Sequence, residues 1–308
     1  MAKQPRSFLS NAFGLLKQTL QEWLGDKAPQ LGAALAYYTV FSLAPLVLVL
    51  LAVVGLLFRN DPAGVWNKIT QQMSYFLDPS AIQVVQDIAQ QSSHPGKGAL
   101  ATIIGIALAL LGASGVFGQL QDALNTIWGV KAKPGQSIWG FLRSRFLSFA
   151  MVGGVCFLLL VSLILESILK AFSHYVQSML PGGVVMAMAV YLAFDFAVIV
   201  LLFAIIFKFL PDVKVHWRDV WIGAIITAIF FGVGKWLLGL YLGTGTAGSA
   251  YGAASSLITL LLWIYYSAQI LLFGAEFTQV YADRAGRRLM PDEYAVRIET
   301  KEVERSRR

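Results

Sequence analysis

The chain has 308 residues, of which 57% are hydrophobic and 13% charged, with a mean hydropathy of +0.65. Soluble domains run at about 25% charged residues and cannot hide this much apolar surface, so composition excludes a disordered chain and an ordinary soluble enzyme. The lone cysteine, Cys156, excludes an internal disulfide framework, and the formal charge of +7 must be read from where the charges lie.

Residues 1–30 come first. Phe8, Leu9, Ala12, Phe13, Leu16, Leu20, Trp23 and Leu24 recur at helical spacing, with Lys3, Arg6 and Lys17 nearby. That pattern predicts an amphipathic helix, lying on the cytoplasmic face of a membrane or packed against the inner ends of a bundle. The first span is Ala33–Phe58. Pro45 removes a backbone donor near its middle and is a candidate kink.

Residues 59–98 form the longest external insert. Asp61-Pro62 and Asp78-Pro79 each place a capping carboxylate before a proline at a first helical position. Each is followed by an apolar stripe, the first through Val65, Trp66, Ile69 and Met73, the second through Ile82, Val85, Ile88 and Ala89. Two short amphipathic helices are expected, covering the bundle or skimming the lipid.

Five further spans follow: Ala99–Gln119, Phe146–Ile168, Gly183–Phe207, Val220–Leu242 and Ala253–Val280. Each reaches the roughly 20 apolar residues that cross about 30 Å of hydrocarbon, and none alternates like a barrel strand. The expected fold is an all-α integral membrane protein with six transmembrane helices: residues 1–30 interfacial, 31–283 the span domain, 284–308 a basic cytoplasmic tail.

Lys and Arg orient it. With the N-terminus inside, 19 of the 24 basic residues fall on the cytoplasmic side. Arg59, Lys68, Lys97 and Lys170 lie outside, and Lys235 lies within a span. That bias satisfies the positive-inside rule with both termini cytoplasmic. The basic tail is diluted by Asp292, Glu293, Glu299, Glu302 and Glu304, so no nucleic-acid partner is expected. Trp128, Trp139 and Trp217 are expected in an inner interfacial belt and Trp66 in an outer one.

The run from Ala33 through Tyr37-Tyr38-Thr39 to Ser42-Leu43-Ala44-Pro45 resembles the first-span signature of the YihY/BrkB family of bacterial inner-membrane proteins. So do Leu124-Asn125-Thr126-Ile127-Trp128, Val220-Trp221-Ile222-Gly223-Ala224 with Gly234-Lys235, and Tyr251-Gly252-Ala253 leading to Leu271-Leu272-Phe273-Gly274-Ala275-Glu276. The resemblance covers about residues 10–285. It implies a six-helix membrane protein in the bacterial inner membrane, and a role in moving lipid or another amphiphile has been suggested for relatives. It also brings virulence-factor and ribonuclease BN labels, the latter regarded as mistaken, and no catalytic residue to carry over.

The residues argue against a nuclease. RNA hydrolysis needs an acid–base pair or carboxylates around metal ions, whereas His94, His174 and His216 fall in three different loops. No cofactor is expected. The Gly243–Gly248 run fits a dinucleotide pattern but follows a membrane helix instead of a strand. It reads as a turn, with Gly239 and Gly243 allowing close helix contact.

What remains is polar groups inside spans, where charge is costly. Asp195 lies roughly 18 Å and Lys235 roughly 10 Å from the outer ends of spans four and five, at 1.5 Å per residue. They are close enough in depth to pair, either to fix packing or to line a transport pathway. Glu166 near the outer end of span three is expected to pair with Lys170. Glu276 near the inner end of span six is expected to be balanced by Arg284 or Arg143, and Gln269 with Ser267 makes span six polar near its middle. Lys131, Lys133, Arg143 and Arg145 form the densest basic patch of a short cytoplasmic loop and suit anionic headgroups. The leading function is a transporter or flippase-like mover of a lipid or amphiphilic anion. The alternative is a membrane scaffold that binds a partner, and a homo-oligomer stays open in either case.

Overall fold

The computed structural model describes residues 8–57, 61–73, 79–92, 115–133, 183–243, 255–287 and 289–298. The element order is α1 (Phe8–Gly25), α2 (Ala28–Leu57), α3 (Pro62–Met73), α4 (Pro79–Ser92) and α5, helical over residues 115–127. Strand β1 (Val130–Ala132) is followed by α6 (Gly183–Phe209), β2 (Val213–Lys214), α7 (Trp217–Gly243), α8 (Ser255–Arg284), β3 (Met290–Pro291) and β4 (Ala295–Arg297). Spans three and two lie wholly or largely outside the described residues, as do Arg143, Arg145, Glu166, Trp139 and the Gly-rich turn after Gly243.

Among the described residues, three stretches are long and apolar enough to cross a membrane: Ala189–Phe209, Trp217–Leu240 and Leu257–Arg284. Their apolar residues run round the whole helix, which suits lipid on one side and protein on the other. On α7, Trp221, Ile225, Ile229, Val233, Trp236 and Leu240 are exposed. Phe203, Phe207, Phe231 and Trp263 are buried and interlock edge-on or stacked at 5.8–6.3 Å.

Helix α8 is the hub. It packs against α2, α7, α1 and α4, while α6 packs on α7. The α7–α8 crossing is built from two matching four-residue steps, Gly223 with Thr227 and Gly274 with Thr278. A side chain on Gly223 would collide with Thr278, and one on Gly274 with Thr227. Each threonine hydroxyl donates to the carbonyl of the glycine on its own helix, at 2.7 Å in both cases. The buried hydroxyls are thereby satisfied and the backbones approach closely, as small-residue membrane crossings require. Gly239, expected at a close helix contact, instead faces open space: the crossing uses the other edge of α7.

Two helices form where the Asp-Pro signals imply them. The Asp61 carboxylate accepts the Gly64 N–H at 2.8 Å, capping α3. Of the two placements left open, α4 takes the first: it packs on α2 and α8, with Val85 fully buried against Val47, Leu43 and Trp66. Trp66 is therefore half-buried packing rather than a lipid-facing belt residue. Helix α1 takes the second of its two expected placements. It docks on α8 and α2 through the buried Thr19 and half-buried Trp23, yet leaves Phe13, Leu16, Leu20 and Leu24 exposed along its other face. The α1–α2 turn places Lys27 in the left-handed region at φ 55°.

The all-α expectation needs one correction. Two short antiparallel ladders pair β1 with β4, Val130 opposite Arg297, and β2 with β3, Val213 opposite Pro291. Residues 289–298, expected as part of a basic tail, thus close against the α5 and α6–α7 loops. Strands of two and three residues carry no readable alternation, so sequence patterning misses them. Gly286, at φ 73°, ends α8: the Arg287 N–H bonds the Ala282 carbonyl and the Gly286 N–H that of Asp283, both at 3.0 Å. This glycine-dependent helix stop turns the chain toward the ladders.

Candidate functional site

Polar side chains on and beside the spans fall into four groups. The first is Asp195 on α6 and Lys235 on α7. Both are half-buried, and the Asp195 carboxylate acts electrostatically on the Lys235 ammonium. The structure thus sets these two charges of α6 and α7 within electrostatic reach of each other. On α7, Trp236, next to Lys235, and Leu240, five residues on, face outward, so these charges sit beside an apolar exterior. Next to Lys235, Gly234 is buried where any side chain would strike the Tyr266 ring and hydroxyl of α8.

The second group lies where α1, the α1–α2 turn and α8 meet. Glu276 is fully buried and its two carboxylate oxygens have no hydrogen-bond donor among the described residues. Of the two expected partners, Arg143 lies outside the described residues and Arg284 is engaged elsewhere. Arg284 donates to Gln18 Oε1 at 2.8 Å and to the Gly14 carbonyl at 2.7 Å, pinning α1 to the end of α8. Gln18 in turn donates to Glu22 at 2.7 Å. What stands within hydrogen-bonding reach of Glu276 is another carboxyl, Asp26. Burial lifts Asp26 above its ordinary range; the Glu276 hydrogen bond opposes that rise and the charge of Glu22 adds to it. Two turns back along α8, Gln269 donates a long 3.5 Å bond to the Pro29 carbonyl, its Oε1 left unpartnered among the described residues. Gly32 lets α2 pass over this amide, for a side chain there would overlap it.

The third group is a polar knot that sequence reading missed. Asp212, in the loop after α6, accepts from Asn125 Nδ2 at 2.8 Å and Gln121 Nε2 at 3.1 Å, and its own N–H donates to Asn125 Oδ1 at 2.8 Å. Neighbouring Asp122 is raised above its ordinary value by burial and by Asp212, with Lys131 opposing. Asn125 stood in a quoted motif, but its partner lies 87 residues away and left no local signal.

The fourth is Asp219, fully buried in the first turn of α7. Arg287 grips it through two bonds of 2.6 and 3.1 Å, a two-pronged guanidinium–carboxylate pair.

Of the expected headgroup contacts, Lys131 and Lys133 are described and exposed. The Lys133 ammonium donates to the Glu293 carbonyl across the ladder, so it also serves the fold. Trp128, expected in an interfacial belt, is buried against Phe207 at 6.3 Å. Trp217 is exposed beside Phe209 and Trp221, with Lys208 5.4 Å from its ring, an arrangement suited to a membrane interface. At Pro45, α2 continues as one helix. The preceding hydroxyls of Thr39 and Ser42 bond back to Leu35 and Thr39 carbonyls at 2.7 and 2.9 Å. No group of three or more potential metal ligands occurs among the described residues.

The long apolar helices and their few polar groups define a helical membrane protein. The sequence comparisons give the family: a family model described as "Virulence factor BrkB" matches residues 19–298, and the chain belongs to that family, as its resemblance to YihY/BrkB proteins implied. A Tolumonas auensis protein named "UPF0761 membrane protein" is 27% identical over 82% of this chain and 80% of its own. A protein of the same name from Actinobacillus pleuropneumoniae is 28% identical over 85% and 91%. One from Pseudomonas aeruginosa is 29% identical over 81% of this chain but 58% of its own length. No solved structure matches the chain.

Proposed function

We propose that this protein moves a lipid or amphiphilic anion between the leaflets of the bacterial inner membrane, as a six-span protein with both termini cytoplasmic. The observation that carries the reading is the Asp195–Lys235 pair. Two opposite charges, each half-buried, interact across two helices that carry no other charge outside their end turns and are long and apolar enough to cross a membrane. Charge at membrane depth costs about 2.5–3.5 kcal/mol per residue at a helix centre on insertion scales, and half-burial leaves these groups room to meet a polar headgroup. Lys131 and Lys133, exposed in the described region, support collection of anionic headgroups at the cytoplasmic side together with Arg143 and Arg145. The reading assigns no catalytic role and no cofactor.

A scaffold reading has its own support in Lys133, whose ammonium is engaged by the ladder. Reconstitution into vesicles with labelled anionic lipid separates the two. Transport predicts faster transbilayer movement than in empty vesicles. A variant with Gln at Lys131, Lys133, Arg143 and Arg145, first shown to insert normally, should lose much of that rate. Movement at the empty-vesicle rate for folded wild type, across anionic and zwitterionic lipids, would favour the scaffold.

A further inference from the structure

We propose that Glu276 and Asp26 form a proton-binding site, in which one proton held between two carboxyl groups fastens α1 to α8. The inference is independent of the transport reading. Glu276 has no exposed surface and both of its oxygens lack a donor among the described residues. A buried carboxylate left bare in this way is strongly disfavoured against its neutral form. The Asp26 carboxyl stands within hydrogen-bonding reach, and two ionised carboxylates have no hydrogen to share. A proton on one of them supplies the missing donor and removes the repulsion, as in carboxyl dyads generally.

Among the described residues, the surrounding charges offer no substitute. From α1, Glu22 adds a negative charge and takes its donor from Gln18, while Lys17 is exposed. In the turn, Lys27 is exposed. On α8 itself, Arg284 is engaged by Gln18 and Gly14, and Asp283 is exposed. From α7, Asp219 is gripped by Arg287, and Lys235 interacts with Asp195. From α4, Asp87 is exposed, and the described face of α2 offers Gln30 but no charge. Glu276 is also held in place: Gly274 and Thr278, two residues to either side, are locked against Thr227 and Gly223. Loss of the proton therefore sets two negative charges against each other at the α1–α8 contact, and the element free to yield is α1.

The test uses purified full-length protein in lipid. Infrared spectra near neutral pH should contain a protonated-carboxyl band that Glu276→Gln loses and Glu22→Gln keeps. Asp26→Asn, which keeps Glu276 but supplies an amide donor to its ionised form, should shift loss of the band to lower pH. With Cys156 replaced by Ser, spin labels at the exposed positions Leu20 and Asp283 should report one distance in mild acid and a longer second distance in alkali. That second distance should be absent in Glu276→Gln, which cannot ionise. The proposal is overturned if folded wild type lacks the band, if the band survives Glu276→Gln, or if it titrates while the label distance stays single.

Discussion

Asp219 and Glu276 are both carboxyls with no exposed surface, and the protein treats them oppositely. Asp219 receives two guanidinium bonds from Arg287, delivered by the glycine stop that ends α8. Glu276 receives none among the described residues and faces a second acid. Burial alone therefore does not say what a charged group is for. A carboxylate with its donors supplied holds loops together, whereas one kept without donors has been left able to change its charge. Asp195 and Lys235 stand between these cases, interacting but half-buried.

The comparison breaks most visibly at Arg287. Arg287→Met should cost about 3–5 kcal/mol, because it strands the buried Asp219 charge. Adding Asp219→Asn should recover part of that loss in thermal or denaturant unfolding in detergent. If the single variant unfolds like wild type, the pair contributes nothing to the fold. Gly274→Val comes next. The added methyls meet Thr227 at the α7–α8 crossing, and overpacking of this kind costs about 1–3 kcal/mol. The same change at Gly239, where the surroundings are open, should pass almost unnoticed. Asn125→Ala should cost about 1–2 kcal/mol by leaving Asp212 and its backbone N–H short of partners, readable in the same unfolding series.

The smallest effect is in pH dependence. Asp26 is raised in the folded protein, so it binds more protons folded than unfolded. Its contribution to stability is full below the unfolded value of about 3.9 and is lost as pH rises through the raised folded value. Stability measured across that window should fall with pH in wild type and fall less in Asp26→Asn. A steeper fall in the variant would contradict the assignment.

Much of this architecture was legible because long apolar segments and Asp-Pro caps are local signals. The electrostatic coupling of Asp195 and Lys235 was also legible, since two opposite charges at similar depth in consecutive spans have few alternatives. Glu276 is legible as a charge in a span; of its two expected partners, Arg143 lies outside the described residues. Arg284, eight residues on, looked available until Gln18 and Gly14 of α1 claimed it. The Asp212 knot and the two ladders rest on pairings across the chain that no local pattern carries. The paired Gly–Thr steps of α7 and α8 were visible as small residues four apart, whereas attention went to Gly239 and Gly243.

The central claim, that Asp195 and Lys235 work on a substrate and do not merely hold α6 to α7, is tested most directly by removing both charges at once. Either single change, Asp195→Asn or Lys235→Met, removes one charge and keeps the opposite one within its span. The double variant leaves neither, so its stability should lie above that of the single variants. Reconstituted with labelled anionic lipid, the folded double variant should move lipid no faster than empty vesicles while wild type does. Lipid movement at the wild-type rate by the folded double variant would show that the pair only packs the helices.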